Sequence, residues 1–219
     1  GDDDGPGTYT YPTEDAFPDG CYDVSEVVIT DTTTHWEWTV HMNGPVTNPW
    51  GGAEGFSVQA FQLYLHDPDA PSDVPQSITA RAGLTSTFQN GYHYRVIVHG
   101  ADGQKAVESA DNELLVDGIE TSVDQQADTI GFRVPKSAFE TDDIERMKAA
   151  FLVLSQDSFG TGDVRQAFGE EAGDWTFGGI KEGTAETAPR IVDLVGPETV
   201  LDQQRLLSEY DTRSSPTIP

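Results

Sequence analysis

Only four lysines, at positions 105, 136, 148 and 181, occur in 219 residues, and lysine plus arginine number 12 against 38 aspartates and glutamates. The formal charge of −26 excludes a surface that attracts nucleic-acid phosphates or anionic lipids. A single cysteine, Cys21, excludes an intramolecular disulfide, and no neighbouring base marks it as a nucleophile; it reads as a half-buried strand residue. No apolar run reaches the roughly 18 residues of a membrane helix. No secretory leader is visible, and the chain opens on Gly1 rather than Met, so a processed or trimmed product is expected. Nucleophile elbow, P-loop and dinucleotide fingerprint are all missing. With so many acids, carboxylate pairs arise by chance and point to no glycosidase. We expect no catalytic activity.

What is present is a core. Four Trp, seven Tyr and ten Phe are spread along the chain and 36% of residues are apolar, which argues against disorder. Acids from end to end with few lysines are expected of a protein from an extreme halophile. At molar ionic strength the Debye length shrinks to about 3 Å, so surface carboxylates no longer repel one another.

The body reads as strands. THWEWTVHM (34–42) alternates, with Trp36, Trp38, Val40 and Met42 on one face, and CYDVSEVVIT (21–30) precedes it as a hairpin partner. FSVQAFQLYLHD (56–67) moves its apolar residues from even to odd positions, which predicts a bulge. YHYRVIVHG, NELLVD, DTIGFRVP, AAFLVLSQ and PRIVDLV continue the pattern between turn-rich segments. Two short helices are predicted, over 139–150 with Thr141 as N-cap and over 197–210. The sum is an all-β antiparallel sandwich with one or two short helices, a single domain over 1–210 and a polar tail over 211–219.

The opening GDDDGPGTYTYP, then NPWGG (48–52) and SQDSFGTGDVR (155–165), with VPKSAF, DWTFGG, PRIVDLVGP and QQRLLSEY in order, resemble the glucodextranase-type C-terminal module, a DOMON-like β-sandwich of secreted glycan-degrading enzymes. The resemblance covers nearly the whole chain. It implies a non-catalytic, carbohydrate-binding or cell-surface module, and related sandwiches often carry structural calcium. Where the family usually has a tryptophan after the second turn region, this chain has Tyr92 and Tyr94.

Three adjacent carboxylates, Asp2, Asp3 and Asp4, repel one another unless a cation holds them. Ca²⁺ takes six to eight oxygens, and glycines such as Gly5 and Gly7 let carbonyls turn inward. The spacing is not that of an EF-hand, so the remaining ligands must come from a distant segment; Asp157 and Asp163 are the expected donors, with Asp3, Asp4 and Asp157 foremost. For sugar stacking, the loop residues Trp50 and Trp175 are the candidates, with Tyr92 and Tyr94 beside them; Trp36 and Trp38 belong to the core. The histidines form no metal set, since His35 and His41 lie about 20 Å apart along a strand.

The expected function is a calcium-stabilised extracellular or cell-surface module whose partner is a polysaccharide or surface glycan. The alternative is a self-assembling subunit of a filament or surface layer, in which terminal arms and calcium join neighbouring copies.

Overall fold

A computed structural model describes residues 2–70, 74, 78–101, 103–167, 169–196 and 202–219. Among the described residues thirteen strands follow one another as β1 (Val24–Asp31), β2 (His35–Met42), β3 (Gln59–His66), β4 (Ile78–Thr79), β5 (Thr87–Phe88), β6 (Tyr94–His99), β7 (Lys105–Ser109), β8 (Leu114–Asp117), β9 (Glu120–Asp124), β10 (Thr129–Pro135), β11 (Lys148–Ser155), β12 (Asp193–Val195) and β13 (Thr217–Ile218). One sheet runs β1-β2-β10-β9 and a second β12-β11-β3-β6-β7-β8, all antiparallel. A small third sheet runs β13-β5-β4, with β13 parallel to β5. The molecule is the expected all-β sandwich.

The alternation of β2 has a direct cause: Trp36, Trp38, Val40 and Met42 face the second sheet and are buried, while their neighbours meet solvent. Trp38 stacks on Phe132 of β10 at 5.9 Å and reaches Phe151 of β11 at 6.3 Å, so one indole ties the two sheets together. Strands β3 and β6 present almost no side chain to solvent because both of their faces are covered, and the polar residues among them, such as Gln62, Arg95 and His99, are buried. Phe61, Leu63 and Leu65 join the main core, whereas Ala60 and Tyr64 join a second cluster with Phe88, Tyr92, Leu206, Leu207 and Ile218. The even-to-odd switch of 56–67 therefore falls ahead of the ladder, between Val58 and Phe61; β3 itself pairs in unbroken register.

The helix expected over 139–150 is not there. Thr141 Oγ1 accepts from the Asp143 amide and Asp143 caps a single 3₁₀ turn, Ile144–Arg146. From Lys148 the chain is β11, paired with β3 along eight residues, and that ladder outweighs local helix preference. Of the helix expected over 197–210, residues 197–201 lie outside the described residues; α1 spans Gln203–Ser208, capped by Asp202. Cys21 is fully buried in the turn before β1 rather than within a strand, and burial pushes its thiol up.

Both ends dock on their own domain. Tyr9 is buried in the main core, and the Gly5 amide donates to the Val192 carbonyl at 2.9 Å. The segment expected as a polar tail ends in β13, where Ile218 is fully buried; burying such a side chain is worth about 1.5–3 kcal/mol.

Candidate functional site

Strand β3 begins, and β6 and β11 end, at the same edge of the second sheet, because Gln59 pairs with Ser155 and Ala60 with His99. The loops leaving this edge enclose a cleft of about 640 Å³ walled by Trp50, Trp175 and Phe159. All three are exposed among a largely buried aromatic set, at 41%, 47% and 100%. Phe17 is buried beneath the two indoles, with its ring centre 6.0 Å from Trp50 and 5.9 Å from Trp175.

The sequence fixes these loops locally. Asn48 clamps its own turn, accepting from the Gly52 amide at 2.7 Å and donating to the Gly52 carbonyl at 2.9 Å. A Cβ on Gly52 would meet the Ala101 Cα at 2.7 Å, so only glycine lets the Trp50 loop lie against the β6–β7 turn. In the Phe159 loop, Asp157 accepts from the Phe159 amide at 3.0 Å. Gly162 sits at φ +66, and a Cβ there would fall 1.9 Å from the Ala82 carbonyl. The backbones of the Trp50 and Phe159 loops are therefore set before any ligand arrives, while the Phe159 ring itself stands fully exposed.

Arg165 is the fastener behind them. Its Nε donates to Ser155 Oγ at 3.1 Å, Nη1 to the Trp175 carbonyl at 2.8 Å and Nη2 to the Gln156 carbonyl at 2.8 Å. Phe17 lies 4.8 Å and Trp50 5.7 Å from the guanidinium carbon. Burial lowers its pKa, and the Asp157 carboxylate at 3.5 Å opposes that shift. Deeper in, Gln156 is buried; its backbone N–H donates to the Val58 carbonyl at 2.7 Å, but its side-chain carboxamide has no hydrogen-bond partner among the described residues. Gln62 Nε2 donates to His99 Nε2 at 3.1 Å, which leaves the ring proton on Nδ1, 4.0 Å from the Asp163 carboxylate.

A second feature lies elsewhere, where the leader crosses β12. Carboxylate oxygens of Asp2, Asp23 and Asp193 all come within 4.8 Å of one another. Two ligands at the usual Ca–O length can be no more than about 5 Å apart, so these oxygens fit one ion. Asp193 is 2% exposed and accepts from the Val24 amide at 3.0 Å. Burial, then the neighbouring Asp2 and Asp23, push its carboxyl up to about 7. Burial and Asp23 likewise raise Asp3 to about 6. Gln203 of α1 donates to the Asp2 carbonyl and accepts from the Leu194 amide, which fastens the leader to β12.

The predicted residues separate accordingly. Asp2 belongs to the acidic trio; Asp3 instead accepts from the Tyr11 hydroxyl, and Asp4 lines the adjoining hollow. Asp157 and Asp163 do not join them. Asp193 pairs with Val153, four residues before Asp157 and so about 13 Å away along the strand, beyond any shared coordination sphere. Asp157 serves the aromatic cleft instead. Trp50 and Trp175 are at the cleft as expected. Tyr92 and Tyr94 are not platform residues: they are 2% and 8% exposed, and pack on Tyr64 and Phe139. Sequence reasoning missed Asp23 and Asp193, although an acid inside the apolar run PRIVDLV is itself a signal, since buried carboxylates need a partner. It also missed Phe159, a large aromatic in a glycine-rich turn.

A family model described as the C-terminal binding module, SLH-like, of glucodextranase matches residues 1–217. No curated protein matches the chain.

Proposed function

The chain belongs to the family of C-terminal, SLH-like binding modules of glucodextranase, and from that premise we propose that its aromatic cleft is a glycan-binding site. The carrying observation is the pair of half-exposed indoles, Trp50 and Trp175, braced by one buried Phe17. Sugars present apolar C–H faces that lie on such rings, and hydroxyls that bond to polar groups between them; Asp157 and Ser158 supply these. Large exposed aromatics clustered on an otherwise charged surface mark a binding site more often than chance. The module would hold an enzyme or a cell surface to polysaccharide outside the cell. A polysaccharide pull-down tests this: retention is expected for the native chain and is lost in Trp175→Ala.

Calcium has a structural place in the same reading. Asp2, Asp23 and Asp193 would hold the ion, which would supply the positive charge that three crowded carboxylates require. The filament alternative calls for arms that reach another copy, and here Tyr9 and Ile218 are buried in their own domain.

A further inference from the structure

We infer that the cleft selects neutral glycans and rejects polymers bearing uronate, sulfate or phosphate groups; this rests on the reading of the cleft as the glycan site. An anionic substituent that leaves water must be met by a cation or by free donors. Arg165 is the one cation among the described residues lining the cleft, and it is 6% exposed. Its nitrogens are committed to Ser155, Trp175, Gln156 and Asp157, and Phe17 and Trp50 pack against its guanidinium. A ligand could reach it only by releasing the loops that form the walls.

The donors the cleft leaves open, the Gln156 side-chain amide and the Ser158 hydroxyl, are neutral, and its open charge is negative. The Asp157 side chain is 24% exposed. One of its oxygens takes the Phe159 amide and the other lies 3.5 Å from Arg165, which leaves lone pairs for a hydroxyl. A sugar hydroxyl can donate to the Asp157 carboxylate, whereas a sugar carboxylate or sulfate meets like charge. Acceptors and apolar ring faces without a free cation suit sugars whose only polar groups are hydroxyls.

The overall charge of −26 would repel any polyanion in dilute buffer, so the test belongs in molar salt, where the Debye length is about 3 Å. Affinity electrophoresis of the full chain with calcium present would compare dextran and mannan with dextran sulfate and polygalacturonate. At least one neutral polymer should retard the chain, and Trp175→Ala should abolish the effect. The anionic polymers should bind at least about tenfold more weakly, a difference of 1.4 kcal/mol. Asp157→Asn retains an acceptor for the Phe159 amide and should weaken neutral binding about tenfold, with the β circular dichroism spectrum kept although the melt falls, because Arg165 loses its carboxylate partner. Anionic polymers that bind as tightly as neutral ones, in a manner sensitive to Trp175→Ala, would overturn the inference and leave the glycan site standing. If no polymer of either class retards the chain, the glycan site falls and the inference with it.

Discussion

The aromatic cleft and the acidic hollow solve opposite electrostatic problems. In the cleft a lone cation, Arg165, is surrounded by carbonyls, a hydroxyl and Asp157, so its charge is answered from within the chain. In the hollow, Asp2, Asp23 and Asp193 crowd together and burial raises Asp193 to about 7. The first region is complete as folded and leaves its aromatic faces for a partner. The second carries an excess of negative charge that a cation would cancel. On the proposed reading, recognition and stability fall to different parts of one sandwich.

Chelation should break this contrast most visibly. Calcium at about one hundred times its dissociation constant would add about 2.7 kcal/mol, or roughly 5–10 °C in melting temperature for a chain of this size. Differential scanning fluorimetry with and without chelator should show a fall of that order, and Asp193→Asn should remove the chelator's effect. A chelator effect that survives Asp193→Asn would locate the ion elsewhere.

The next largest effect belongs to the cleft. Trp50→Ala and Trp175→Ala should each weaken glycan binding by about tenfold or more, as loss of an aromatic anchor does. Because both indoles are half exposed, the melting temperature should move little, and chelator should shift these variants as it shifts the native chain. A loss of calcium response in the tryptophan variants would show that the two regions are coupled.

A smaller, pH-linked effect sharpens the comparison behind the cleft. Burial, with help from Arg81 and Lys105, lowers His99 to about 3 from an ordinary value near 6.5. The unfolded chain then takes up a proton that the folded chain refuses, so this contribution is intact above about pH 6.5 and is lost as pH falls toward 3. Asp3 and Asp193, raised to about 6 and about 7, bind protons in the folded chain over the same range and act in the opposite sense, so the readout is a difference. In denaturant titrations from pH 7.5 to pH 5 the native chain should lose stability relative to His99→Gln.

Legibility in the sequence followed how many neighbours decide each residue's place. The alternation of β2 could be read because one face meets water, and the indoles of NPWGG and GDWTFGG because loops are punctuated by glycine. Residues 139–150 were misread because the capping signal at Thr141 and Asp143 is real but governs a single turn before β11 begins. Tyr92 and Tyr94 could not be told from platform residues by type; only the cluster around Tyr64 and the packing of Phe139 bury them. The acidic leader was recognised as needing a partner, but its partners come from β12 and the turn before β1, which adjacency in the sheet supplies and sequence spacing does not.

Tryptophan fluorescence titrated with a neutral polysaccharide reads the cleft most directly, since two of the four indoles stand on its walls while Trp36 and Trp38 are buried in the core. The expected result is a saturable change that disappears when Trp50 and Trp175 are both replaced by alanine. A change that persists in that double variant, or its absence with every polysaccharide tried, would contradict a glycan site between these rings.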